Sequence, residues 1–149
     1  YKANLKGAKL DKASMFSTQM LGADLSMASL EGATIAADLY KANLRGANLK
    51  NAKMGADMKN QSMGIMALKA KKAFFDNADL SGADLSRTDL EYASFKNANL
   101  SNANLEFAKL TGANFVGANL TNTNFSNAEL GANHFCGSIG LDKAIGLKK

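Results

Sequence analysis

The sequence from residue 78 to residue 122 reads ADLSG-ADLSR-TDLEY-ASFKN-ANLSN-ANLEF-AKLTG-ANFVG-ANLTN, a run of five-residue units. Each unit carries a small residue, usually Ala, two positions before a large apolar residue, which we call the centre of the unit. Alternate residues of an extended segment point to the same side, so the small residue and the centre share one face. A period of five fits neither a helix nor a continuous strand, and it predicts short extended pieces joined by turns.

The pattern covers most of the chain. Centres recur from Leu5 to Ile35, again from Leu39 onward, and without a break from Phe75 to Phe135. The other positions are mainly Asn, Asp, Ser, Lys and Gly, which favour turns. We therefore predict one repeat domain over residues 1–136 with an irregular insertion near 61–73. Residues 137–149 leave the repeat and are expected to form a C-terminal cap or tail, helical if its apolar residues share one face.

Units such as Ala23-Asp24-Leu25, Ala83-Asp84-Leu85 and Ala103-Asn104-Leu105 carry the motif A(D/N)LXX. With this motif the sequence resembles the pentapeptide-repeat family over residues 3–135. The resemblance implies an all-β fold, a right-handed quadrilateral β-helix with four units per coil, and hence about seven coils here. It implies little about activity, because the family is defined by its architecture.

A longer period of twenty residues also appears, since Phe75, Phe95, Phe115 and Phe135 are spaced by twenty. With four units per coil, these side chains would stack on one another. The spacing between centres is four instead of five at two places, and it is seven between Leu68 and Phe75 if Leu68 is a degenerate centre. The two missing residues and the two extra residues then cancel, so the period of twenty is kept. On that count we predict a core stack of Met15, Ile35, Met54, Phe75, Phe95, Phe115 and Phe135.

The irregular segment 61–73 has two interpretations. It is either a bulged coil or a short helix, because Met63, Met66 and Ala70 also lie at helical spacing. In both cases Lys69, Lys71 and Lys72 should project into solvent. They form either a solvated insertion or an interaction site for an anionic partner.

One outward column carries stacked carboxylates when the units are counted in fours. The count places Asp38, Asp57 and Asp79 in consecutive coils, where they could share a cation such as calcium. The alternative is that each Asp accepts a hydrogen bond from nearby backbone in its own turn. We predict no catalytic residues, no resident metal and no cofactor.

The charge pattern bears on partners. The formal net charge is +5, with 9 Lys/Arg against 5 Asp/Glu in residues 1–60 and 3 against 6 in residues 79–135. Some members of the resembled family protect DNA gyrase by imitating DNA, which requires a strongly negative surface. We therefore predict a non-enzymatic scaffold or protein-interaction module. The alternative, a DNA mimic that binds a DNA-processing enzyme such as gyrase, is disfavoured by the positive charge.

The sequence also bears on binding to nucleic acid, membranes and a second copy of the chain. Direct nucleic-acid binding is not expected, because the basic residues are scattered and Tyr1, Tyr40 and Tyr92 are expected to lie too far apart for one aromatic platform. No apolar run reaches the ~18 residues of a membrane span. An incompletely covered C-terminal end would favour a homodimer. We expect a cytoplasmic protein, although a targeting segment could have preceded Tyr1.

Overall fold

The computed structural model describes residues 1–59 and 66–147. Its regular elements are strand β1 (Ser14–Gln19), strand β2 (Thr34–Asp38) and a 3-10 helix (Leu141–Lys143). The two strands pair in parallel. Elsewhere in the described chain the repeat units pair through single parallel bridges. The fold is therefore almost without helix, as a period of five predicts.

The bridges join residues that lie directly before the centres, and in the described residues they align in four ladders. We name the ladders in chain order. Ladder A contains Asn4, Asp24, Asn43, Phe74, Ser94, Asn114 and His134; ladder B contains Lys9, Ser29, Asn48, Asp79, Asn99, Asn119 and Ile139. Ladder C contains Ser14, Thr34, Lys53, Asp84, Asn104, Asn124 and Ile145; ladder D contains Gln19, Asp38, Lys69, Asp89, Lys109 and Glu129.

A tight turn follows each typical centre. After Phe95, the N–H of Ala98 donates to the Phe95 carbonyl at 3.1 Å, and Asn97 between them has φ 56°. A positive φ at the third residue defines a type II turn, which favours Gly and Asn. The abundance of these two residues therefore follows from the turn geometry.

The core consists of small residues and centres in alternation. Ala93, Phe95, Ala98 and Leu100 are all buried, as are most of their equivalents in other units. Phe75, Phe95, Phe115 and Phe135 stack in sequence with centroid separations of 5.0, 5.1 and 5.2 Å and nearly parallel rings. These centroid separations lie within the range that aromatic pairs favour.

The predicted core stack is wrong where it passes from Met54 to Phe75. Phe74 pairs with Asn43 in ladder A, so the stack below Phe75 continues through Leu44 and the other centres of that ladder. Met54 follows Lys53 in ladder C, where the next residue is Asp84. The physical reason is that the chain takes only two ladder steps from Met54 to Phe75, through Ala70, whereas the predicted stack requires four. The described residues between Met54 and Leu68 join no ladder, and we call this interruption of the repeat the excursion. Met58 within it is exposed.

The chain re-enters the repeat with its large and small residues exchanged. Lys69 occupies ladder D, which makes Ala70 the centre and places Leu68 at the usual position of Ala. Both side chains are fully buried. The exchange keeps one large and one small residue in the layer, so the volume of the core is preserved.

The two interpretations of segment 61–73 concern residues that are partly outside the described chain. Residues 66–73 contain no helix, and residues 61–65 lie outside the described ranges.

In the tail, Ile139 and Ile145 extend ladders B and C on either side of the 3-10 helix. Ala144 and Leu147 pack against the core from this end.

Candidate functional site

Two of the predicted basic residues, Lys71 and Lys72, lie where the chain turns from ladder D to ladder A, and Lys69 lies in ladder D just before this turn. We call this edge the D–A corner. Successive coils are joined here by backbone hydrogen bonds from Lys2 to Leu21, Gly22 to Tyr40, Lys41 to Lys71 and Lys72 to Glu91. The order along the corner is therefore Tyr1-Lys2, Leu21-Gly22, Tyr40-Lys41, Lys71-Lys72 and Glu91-Tyr92. Four lysines and one glutamate occupy these positions.

The corner contains a shallow notch. Tyr1 and Tyr40 lie two coils apart, about 9.6 Å at ~4.8 Å per coil, and Leu21 and Gly22 lie between them. The notch is lined by the two tyrosines, Leu21 and Gly22. Lys2, Lys41, Lys72 and Phe74 complete the lining. Tyr1 and Tyr40 line the same notch because the chain returns to this corner once per coil.

Lysine ammonium groups lie near the tyrosine rings of the notch. Lys2 Nζ is 5.4 Å from the centroid of Tyr1, and Lys41 Nζ is 5.2 Å from the centroid of Tyr40. Such cation–π contacts hold the ammonium groups near the apolar surface. Lys72 has a φ of 60° and an exposed side chain, and it completes the basic rim.

Lys71 is engaged differently from the other lysines of the corner. Its Nζ contacts Glu91 Oε2 at 2.5 Å and lies 5.8 Å from the ring of Tyr92. The hydrogen bond from Lys71 holds the pKa of Glu91 below its ordinary value, and the same bond raises the pKa of Lys71. This lysine is therefore already neutralised, while ion pairs within the described residues are recorded for neither Lys41 nor Lys72.

Phe74 is the residue of this site that the repeat pattern failed to identify. It occupies ladder A, where Asn or Asp is usual, and so its ring faces outward. The guanidinium of Arg45 lies 4.1 Å from that ring and its Nε lies 3.2 Å from Asp76. The signal was the pair Phe74-Phe75, in which only the second residue can be a centre.

The predicted carboxylate column is wrong as an arrangement. Asp38 stacks between Gln19 and Lys69 in ladder D, whereas Asp79 stacks between Asn48 and Asn99 in ladder B. Asp57 belongs to the excursion after Met54. The chain is offset by half a coil between Met54 and Phe75. The same offset separates Asp38 from Asp79.

Each carboxylate instead accepts a hydrogen bond from the backbone N–H of the residue two positions later in the chain. Asp38 accepts from Tyr40 at 3.1 Å, Asp57 from Lys59 at 3.0 Å and Asp79 from Ser81 at 3.0 Å. A hydrogen bond from the Ser26 hydroxyl, and after it the backbone bond from the Ser26 N–H, lowers the pKa of Asp24. Asp and Asn both supply this acceptor, which explains why the repeat tolerates either. Within the described ranges, no three His, Cys, Asp or Glu side chains are close enough to hold a metal ion.

Two further surfaces are recessed. One lies over ladder C and includes Phe16, Ala36 and Met58, beside the excursion. The other is the C-terminal end, where Leu130, Phe135 and Leu141 border an open apolar surface. Across the described parts of the chain, no helix has the length and apolar character needed to cross a membrane.

Comparison with solved structures gives several similar proteins. Rfr23, a pentapeptide repeat protein from the cyanobacterium Cyanothece 51142, is 25% identical with a TM-score of 0.56; the match covers 95% of this chain and 90% of that chain. HetL from Nostoc sp. strain PCC 7120, involved in heterocyst differentiation regulation, is 26% identical with a TM-score of 0.40 over 97% of this chain and 62% of that one. QnrB1, a plasmid-mediated fluoroquinolone resistance protein, is 17% identical with a TM-score of 0.45 over 93% of this chain and 86% of that one.

No curated protein matches the sequence. The likeness to Rfr23 places the fold in the β-helix class. The family profile described as pentapeptide repeats matches in 8 copies, over residues 1–35, 35–60, 69–102 and 98–131. These matches span most of the sequence, and the chain therefore belongs to the pentapeptide-repeat family.

Proposed function

We propose that this protein is a non-enzymatic scaffold that binds a protein partner through its outer surface. In this proposal the rod is a right-handed, four-sided solenoid of about seven coils over residues 1–136. Residues 137–149 cap it. The rigid, regular backbone holds side chains of different coils at fixed spacing, which reduces the entropy lost on binding.

The observation that carries the proposal is the contrast between the D–A corner and the rest of the repeat. The Asn and Asp side chains of the ladders already accept a backbone hydrogen bond in their own turn, as Asn104 does from the N–H of Glu106 at 3.1 Å. The corner instead gathers aromatic rings and lysines. Aromatic and basic side chains that are grouped on a rigid support are typical of a binding surface.

The charge distribution opposes the DNA-mimic alternative. A protein that imitates DNA needs a dense negative surface, whereas this chain has a net charge of +5. We expect gyrase supercoiling to be unchanged in the presence of excess protein. Inhibition of supercoiling would favour the mimic instead.

We also propose that the C-terminal end mediates homodimer formation. Leu130 and Leu141 are exposed at 39% and 38%, and Ile145 at 53%. Sedimentation analysis is expected to show a dimer that the substitution Leu141→Lys dissociates. A monomer at all concentrations would contradict this part of the proposal.

The scaffold function is tested by site-specific photo-crosslinking in the organism that carries the protein. A photoreactive residue replaces Tyr40 at the D–A corner or, as a matched control, Lys50 at the equivalent position after a ladder-B centre. We expect a covalent product with a second protein from Tyr40, which an excess of the unmodified chain suppresses. If neither position gives a crosslink to a second protein, the scaffold function is contradicted.

A further inference from the structure

We propose that the notch at the D–A corner binds an apolar side chain within an acidic segment of the partner protein. We define the notch by Tyr1, Leu21, Gly22 and Tyr40, with Lys2, Lys41 and Lys72 as its rim. This inference rests on the proposed scaffold function and specifies the chemistry of the partner. Both features of the occupant follow from the residues that line the notch.

The floor of the notch selects an apolar group. Leu21 and Gly22 lie in the coil between the two tyrosines. Gly22 has no side chain, and Lys2 Cγ lies 3.4 Å from the position a Cβ would take there, so the apolar stem of Lys2 also contributes to the floor. Tyr1 is 85% exposed, and Tyr40 and Leu21 are half-buried. An inserted side chain would cover these apolar surfaces from water at ~25 cal/mol per Å².

The rim selects negative charge. Lys2, Lys41 and Lys72 surround the floor, and the nearby carboxylates already have partners. Asp76 pairs with Arg45, Glu91 pairs with Lys71, and Asp38 accepts the N–H of Tyr40. A partner with acidic residues beside its apolar side chain would therefore find three cations that are not neutralised within the described residues. Complementary charge of this kind accelerates association and fixes orientation.

The extent of the basic surface favours a protein segment over a nucleic acid. Three lysines would give a single-stranded nucleic acid a log–log salt slope of only about −2. Farther along the rod, residues 79–135 contain 3 Lys/Arg and 6 Asp/Glu. A long polyanion that followed the rod would meet this acidic region, whereas a short acidic segment would end before it.

Fluorescence anisotropy with defined probes tests the inference. The first probe is a short labelled peptide with Glu and Asp on both sides of a single Phe. The comparison probes are the same peptide with Ser in place of Phe, a version with Lys in place of the acids, an oligothymidylate and anionic lipid vesicles. We expect the first peptide to bind most tightly, with roughly tenfold weaker binding when Phe is replaced.

The protein variants locate the binding. Lys41→Glu combined with Lys72→Glu should weaken binding of the acidic peptide by about tenfold or more. The control combines Lys12→Glu with Lys50→Glu; it changes the net charge equally, and Lys12, like Lys41, is exposed with a φ of 57°. Thermal unfolding of both variants confirms that each remains folded. The control should bind the peptide nearly as well as the original protein.

Several results would overturn the inference. These are equal binding by the corner variant and the control, tighter binding of the oligonucleotide or vesicles than of the peptide, and no dependence on Phe. The scaffold function fails separately, when crosslinking yields no partner protein at all. A partner that crosslinks only from Lys50 would retain the scaffold and refute the notch.

Discussion

The ring of Phe95 lies parallel to the ring of Phe115, with 5.1 Å between their centroids and 4° between their planes. Phe95 makes the same contact with Phe75 on its other side. The side chain is fully enclosed. Each coil therefore supports the next through the core as well as through the backbone ladders.

The substitution Phe95→Ala should destabilise the protein by about 3–5 kcal/mol, because it removes both ring contacts and leaves a cavity. Urea unfolding measures the loss. Phe16→Ala is the control, since Phe16 is 58% exposed and a surface substitution typically changes stability by about 0.5 kcal/mol or less. Equal losses from the two variants would contradict the stacked core.

The substitution Gly112→Ala should cost more than Gly32→Ala. Both glycines have positive φ, 71° and 64°, so each Ala incurs backbone strain of about 1–2 kcal/mol. An added Cβ at Gly112 would also overlap the ring of Tyr92, whereas at Gly32 the nearest atom is Lys12 Cγ at 3.6 Å. Urea unfolding compares them. Combining Gly112→Ala with Tyr92→Ala should remove the excess cost, and an excess that persists in the double variant would refute the contact.

The side chain of Asn114 should contribute to stability through its turn. Its Oδ1 accepts the N–H of Val116 at 3.0 Å, so Asn114→Ala should cost about 1 kcal/mol. Asn114→Asp keeps the acceptor and should be nearly neutral. Its ladder neighbours are Ser94 and His134, which place no carboxylate beside it. Equal loss in both variants, measured by urea unfolding, would show that the acceptor is not the cause.

The pair of Lys71 and Glu91 predicts a pH dependence. Because the pKa of Glu91 is lowered from 4.5 in the folded protein, its contribution to stability is present above that value and is lost as the pH falls through the lowered pKa. The raised pKa of Lys71 sets the upper limit, where the contribution is lost as the pH rises through it. Lys71→Met should raise the pKa of Glu91 toward its ordinary value in a carboxyl NMR titration. Lys71→Arg should preserve the low pKa, and an unchanged pKa in Lys71→Met would contradict the assigned cause.

Much of the fold was predictable because its determinants are local. The motif around Leu105 specifies an inward pair and a turn from five adjacent residues, and the spacing of Phe95 and Phe115 indicates which units meet. Their stacking needs no information from distant parts of the chain. The outward position of the Asn or Asp before each centre also follows from the alternation of an extended segment.

The register across the excursion was not predictable in the same way. Leu68 looks like a centre because it is large, yet Ala70 occupies that position and Leu68 takes the place of Ala. Only the pairing of Lys69 with Asp38 and Asp89 reveals the exchange. The error moved Met54 into the wrong stack and put Asp38 and Asp79 into one column.

The most direct test of the account is an amide NMR titration of the protein with the acidic Phe-containing peptide. We predict that the largest shifts belong to Leu21, Gly22, Tyr40, Lys41 and Lys72 at the D–A corner. The amides of Lys12, Gly32 and Lys50 at the corner after ladder B should remain unchanged. Shifts centred on that second corner, or equal shifts along the whole rod, would contradict the assignment of the D–A corner as the binding surface.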